Sequence, residues 1–233
     1  MQYNTIEKAA SKPRLDRYLA ACKNDKNKAL ELYKANIMVS KELFVIIGML
    51  EIALRNAIDT HYSQIFNGSP DWILQQSKPT GFLGQKGSEK SLEKAEISIR
   101  ALGKRYTHDK LVAELSFGFW RYLFASKQYQ FAGSSLLNIF PNRPKRTPQK
   151  DIFKKLGDIN AIRNRIAHHE PICFGVENSI SSKYAEEKYH EILELLQWMN
   201  YSTLELLQGI DNVEIKLKNL CAILDFDYPI LLL

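Results

Sequence analysis

An all-α fold, a helical bundle, is predicted by three features of this chain. Apolar residues recur at three- and four-residue spacing through most of it, strand-type alternation is nearly absent, and glycine and proline gather in one stretch from Gly68 to Gly87. With 233 residues, 45% of them hydrophobic, and a mean hydropathy of −0.28, the chain can bury a sizeable core as one large domain or two small ones. We read it as one domain over 1–233. Residues 1–66 would form N-terminal and central core helices and 67–110 a loop-rich excursion. Residues 111–210 would form the bundle that bears the Arg163–His168 segment and 211–233 a C-terminal tail docked on the body.

The elements follow in order. Lys28 to Ile37 reads as a short amphipathic segment, and Ser40 as the N-cap of a long helix from Lys41 to about Phe66, stopped by Asn67-Gly68-Ser69-Pro70. That helix is apolar on most sides through Leu54, which predicts a central place in the core. Ser88 is the expected N-cap of a helix to Leu102, with Glu89 in its first turn, and Asp109 to about Ser126 reads as another helix. Asp151 to His169 forms the next. Tyr184, Tyr189, Ile192, Leu193, Leu196 and Met199 mark a last long helix at helical spacing.

Cys22, Cys173 and Cys221 are odd in number and widely spaced, which argues for free thiols rather than a disulfide framework or a zinc site. The first fifteen residues lack an apolar stretch of signal-peptide type, and the longest apolar run, Leu43 to Leu50, is too short to span a bilayer. A cytoplasmic protein without membrane association is the expectation. Charge is unevenly spread around the net +6: residues 1–169 carry 28 Lys and Arg against 15 Asp and Glu, whereas residues 170–233 carry 4 against 11. The densest basic cluster, Arg143, Lys145, Arg146 and Lys150, lies in a Pro-rich stretch. It reads either as a polyanion-attracting loop or as a solvated linker.

The densest chemistry is in Asp158-Ile-Asn-Ala-Ile-Arg163-Asn164-Arg165-Ile-Ala-His168-His169-Glu170-Pro171. Asn164 and His168 are four apart, on nearly one helix face at about 100° per residue, and the long Arg163 stem can curl back toward them. Pro171 cannot continue a helix and restricts the residue before it, so both imidazoles are expected in the final turn. An imidazole both accepts and donates a proton near neutral pH, and a guanidinium beside it can hold a phosphate. RNA is therefore the first substrate to consider. A second polar set, Glu51, Arg55, Asn56, Asp59 and His61, lies within the long apolar helix. Its four-residue spacing suits intrahelical ion pairs, a wet stripe being the expected role of Asp59 and His61. Glu51, set among Leu50, Ile52, Ala53 and Leu54, is expected to be paired, orienting Arg55 or Arg163.

In order along the chain, Arg14-Leu-Asp-Arg-Tyr-Leu19, Ala29-Leu-Glu-Leu-Tyr33, Leu50-Glu-Ile-Ala-Leu-Arg-Asn-Ala57, Asp71-Trp72, Glu114-Leu-Ser-Phe-Gly-Phe-Trp120 and Arg163-Asn-Arg-Ile-Ala-His-His-Glu-Pro171 resemble the Abi-like (abortive infection) proteins of bacterial phage defence. These are similar to the HEPN superfamily of helical domains. The resemblance spans nearly the whole chain and implies metal-independent RNA cleavage at an Arg-x4-His site shared across a homodimer, with no cofactor and no metal. It places Arg163, Asn164 and His168 in the motif, with Glu51, Arg55, Asn56, Arg165 and His169 in support. It allows a regulatory RNA or an antitoxin as a further partner. The chain departs from the HEPN toxins that carry a Tyr two places after the His, since Glu170 stands there, so regulation through that tyrosine is not implied. Of the two imidazoles, His168 completes the spacing. A non-catalytic RNA-binding or partner-binding helical module is the alternative, and a purely structural role for the cluster is a third reading.

Other features carry less. Phe117-Gly-Phe-Trp120 with Tyr122 and Phe124 is expected in the core rather than as a stacking platform. Gly81 to Ser88 lacks the spacing of a phosphate loop, and His168-His169-Glu170 lacks the i, i+4 spacing of a zinc helix. The apolar Tyr228 to Leu233 is expected to dock on the body or at a dimer seam.

Overall fold

The computed structural model describes residues 2–66 and 71–223. Among them are twelve α-helices and no strand, with one isolated bridge between Phe174 and Ile180. The fold is all-α. In chain order the helices are α1 (Gln2–Ala10), α2 (Lys12–Ala21), α3 (Lys26–Ile65), α4 (Trp72–Gln76), α5 (Glu89–Leu102), α6 (His108–Glu114), α7 (Phe117–Tyr122), α8 (Ser126–Phe131), α9 (Gln149–Ala167), α10 (Lys183–Trp198), α11 (Thr203–Leu206) and α12 (Val213–Ala222). None of the described helices is long and apolar enough to cross a membrane.

The largest departure from the sequence reading is α3, which runs unbroken for 40 residues through Ser40. Ser40 is not an N-cap, and the two expected segments are one helix. The reason is an uninterrupted buried stripe, Leu32, Asn36, Val39, Leu43, Ile46, Leu50, Leu54, Ile58 and Tyr62, which keeps three- and four-residue spacing across Ser40. A serine without a following break signal does not end a helix whose apolar face continues. The region read as one helix from Asp109 to Ser126 is instead two short ones, α6 and α7, with α8 beginning at Ser126. Thr107 caps α6 by accepting from the Lys110 amide, and the extended Leu115 and Ala125 end one turn and begin the next. The motif helix α9 is shifted two residues toward the N-terminus. The expected stop at 67–70 and the apolar tail from Tyr228 lie outside the described residues.

The chain divides into two compact units. The first holds the described residues up to Ile47, Ala161–Leu193, and those from Leu204 onward. Its core includes Tyr18, edge-on to Tyr33 with ring centroids 5.3 Å apart and 5.2 Å from Phe174, over which Arg17 lies at 4.4 Å. The Asn36 carbonyl oxygen accepts the Ile172 amide at 2.9 Å, tying the segment after the motif to α3. Tyr189 donates to Asp211 at 2.7 Å, fastening the turn before α12 to α10.

The second unit is Gly48–Asn160 with Glu194–Thr203. Tyr62, Phe66, Trp72 and Phe82 form an aromatic cluster with centroids 4.9 to 6.4 Å apart. Phe117, Phe119, Trp120 and Phe124 are buried, as expected for core rather than for a stacking surface. Gly81 is required where it stands: a Cβ there would lie 2.3 Å from the Gln76 carbonyl oxygen. Asp59 is not a wet-stripe residue. It accepts from the Trp72 indole and pairs with His108, each at 2.7 Å, and so joins α3 to α4 and α6.

Candidate functional site

The motif lies at the C-terminal end of α9, in the first unit. The helix closes with two backbone bonds, the His169 amide to the Ile166 carbonyl at 2.9 Å and the Glu170 amide to the Arg165 carbonyl at 2.8 Å. These are the paired bonds of a Schellman closure, with His169 at the left-handed position, φ 57°. His168 is therefore the last residue bonded into the helix, its amide reaching Asn164 O at 2.9 Å, while His169 lies beyond it and turned away from the helical register. The sequence reading placed both rings in the last turn. Pro171, by barring further helix, leads to a reversal that only one imidazole precedes.

Burial distinguishes the motif residues. Asn164, His168 and His169 are exposed, whereas Arg163 and Arg165 are half-buried. Arg165 has a structural role: it donates to the Pro171 carbonyl, lies 3.6 Å from the Glu170 carboxylate and stacks over the Tyr184 ring at 5.3 Å. Arg163 has no such ties. Its buried Nε makes no hydrogen bond among the described residues, which leaves a charge donor at the helix end in need of an acceptor. The end of α9 thus carries an exposed imidazole one turn beyond an exposed amide, and a half-buried guanidinium whose Nε makes no hydrogen bond among the described residues, groups of the kind that hold an anion and move a proton.

The remaining sequence-derived residues fall elsewhere. Glu51, Arg55 and Asn56 belong to the second unit, and neither Glu51 nor Arg55 forms an ion pair with the other; Arg55 Nε is buried without a partner among the described residues. The expected intrahelical ladder is therefore absent from this stretch. His61 bonds Ser135 Oγ at 3.0 Å, and burial lowers its pKa. In the basic stretch Arg143 is a structural clamp, donating to the Leu137 and Phe140 carbonyls at 2.8 and 3.1 Å, while Lys145, Arg146 and Lys150 are exposed. The stretch is not an unstructured linker. Asn142 binds the carbonyls of Trp198 and Gln197 and the Asn200 side chain, and Gln149 donates to the Phe124 carbonyl. Lys150 occupies the first turn of α9, and His168 follows its last residue. The basic stretch and the motif are thus at opposite ends of α9.

One element of this region escaped the sequence reading. A groove of about 510 Å³ runs between α3 and the end of α9, walled by Ile37, Phe44, Val45 and Ile166 and edged by Arg14, Lys41, His169 and Glu170. The signal for it was Asn36, the one amide in an otherwise apolar stripe. Compared with protein-family models, with curated proteins and with solved structures, the chain matches none.

Proposed function

We propose that this protein is an endoribonuclease that needs no metal, of the kind used in bacterial abortive infection, acting by transesterification at Arg163, Asn164 and His168. The observation that carries the reading is the end of α9, where His168 and Asn164 are exposed beside a half-buried Arg163 whose Nε has no hydrogen-bond partner among the described residues. Arg165 also has an unpartnered Nε, but it is held by its Nη2 bond to Pro171 and its contact with Glu170, whereas Arg163 makes no hydrogen bond or ion pair among the described residues. In the reaction a ribose 2′-oxygen attacks the adjacent phosphorus as its proton passes to one His168. The bond from phosphorus to the 5′-oxygen then breaks, and the leaving oxygen takes a proton from the His168 of a second copy. One imidazole cannot accept and donate in the same step, so the reading requires a two-fold homodimer. Arg163 stabilises the negative charge that grows on the phosphorane, and Asn164 orients the ring or the phosphate.

The test is incubation of single-stranded RNA in chelator, with analysis of the ends produced. The expected products carry a 2′,3′-cyclic phosphate and a 5′-hydroxyl, DNA of the same sequence stays intact because it lacks the attacking hydroxyl, and His168→Ala lowers the rate by about 10²–10⁴-fold. Cleavage that survives His168→Ala overturns the assignment. RNA binding without cleavage, weakening with salt, supports the alternative of a non-catalytic module.

A further inference from the structure

The groove beside the motif has the chemistry of a nucleobase pocket. At about 510 Å³ it is in the size range of small-ligand sites, which join apolar walls to a few fixed polar groups. Asn36 supplies the decisive one. It is only 4% exposed, and its carbonyl oxygen is committed to the Ile172 amide. That bond also fixes which end of the amide is which. Asn36 lines the groove, and its –NH2 end donates to no acceptor among the described residues. A fixed amide donor on an apolar groove wall is free to give its hydrogen bond to a ligand.

The other groups have complementary roles. Phe44 is 42% exposed on the groove wall, an unusual place for a phenyl ring and a ready stacking face. Glu170 offers carboxylate oxygens on the rim, and Arg14 and Lys41 bring positive charge to the same edge. Guanine is the base that fits this set. Its N1–H and exocyclic amine present two adjacent donors to a carboxylate, while O6 and N7 accept from an amide. Adenine offers no such paired donor edge.

We infer that the groove between α3 and the end of α9 binds a single unstacked guanine of RNA, with Asn36 donating to the base, Glu170 accepting from it, Phe44 stacking on it, and Arg14 and Lys41 beside its phosphate. This rests on the ribonuclease reading for its biological meaning, and makes the groove the specificity element of that site. Binding itself is separable from cleavage.

The experiment is a titration of the full chain with 5′-GMP, 5′-AMP, 5′-CMP and 5′-UMP up to millimolar concentration, followed by NMR chemical shifts, with cleavage of an RNA of mixed sequence mapped in parallel. GMP should bind saturably and more tightly than the other three. Phe44→Ala should weaken it about tenfold. Asn36→Asp, which keeps an acceptor for the Ile172 amide but removes the donor, should weaken it by a similar factor, and Glu170→Gln should erase the preference for GMP over AMP. Equal binding of all four nucleotides, insensitive to Phe44→Ala, or no saturable binding, overturns the pocket. Phe44-dependent GMP binding with RNA left intact keeps the pocket and removes the ribonuclease reading. His168-dependent cleavage whose base preference ignores Phe44→Ala does the reverse.

Discussion

Replacing His169 by glycine separates the two imidazoles without disturbing the helix they follow. His169 holds a left-handed φ of 57°, a conformation strained for a side chain with a Cβ and free for glycine. His169→Gly should therefore raise stability by about 1 kcal/mol and leave in place the RNA cleavage proposed for His168, as read by thermal melts and an RNA assay on one preparation. The two arginines separate in the same way. Arg165→Met removes the bond to Pro171, the Glu170 contact and the Tyr184 stack, and should lower stability by about 1–2 kcal/mol, roughly 2–8 °C in Tm. Arg163→Met removes a buried donor that has no hydrogen bond, so the melt should stay within about 0.5 kcal/mol of the parent while cleavage is lost. If both variants melt alike, Arg163 is as structural as Arg165. The sequence displayed all four side chains. It ranks Arg163 and His168 above Arg165 and His169 by motif spacing alone, because burial and the direction of the chain after residue 168 come from packing.

At the scale of the element, α3 and α9 each contain a glycine, and the two differ in what surrounds them. Gly48 lies within α3 with no atom within 4 Å of the place a Cβ would occupy. Gly48→Ala should stabilise the protein by about 0.5–1 kcal/mol through helix propensity alone. Gly157 lies within α9 under the Arg121 guanidinium, which would stand 2.8 Å from an added Cβ and which also covers Phe153 at 4.4 Å. Gly157→Ala should cancel the propensity gain by displacing that arginine. Denaturant titration of the two variants should give opposite or clearly unequal shifts in midpoint. The same two helices show what periodicity reveals. The stripe from Leu32 to Tyr62 was legible as helix on both sides of Ser40, but its continuity was not, since serine is both a good cap and a tolerable interior residue. The split of α6 from α7 was hidden because Leu111, Leu115 and Phe119 keep helical spacing across bends.

For the molecule as a whole, burial of ionisable groups sets the response to alkali. Burial pushes the Cys173 thiol up to about 12, and it also raises the pKa values of Cys22, Tyr18 and Tyr62. A folded-state pKa above the unfolded value leaves stability intact below about pH 8.5, where both states hold the proton, and removes it as pH climbs toward the folded value. Stability should fall steadily above that point, and Cys173→Ser should flatten part of the fall in melts taken across the alkaline range. Thiol titration gives an independent check. Cys221 is half-buried and should react in the native protein, while Cys22 and Cys173 should react only after unfolding.

The sequence by itself determined that the protein is built of helices, that its thiols are unpaired, and which short segment gathers imidazole, guanidinium and amide side chains most densely, because these follow from residue spacing and residue type. Tertiary structure decided that Asp59 is a strut between helices, that Arg143 clamps backbone, that Glu51 and Arg55 do not pair with each other, and that Asn36 opens onto a groove. Each of those depends on which distant backbone or side chain fills the space around a polar group, and local pattern carries no record of that neighbour.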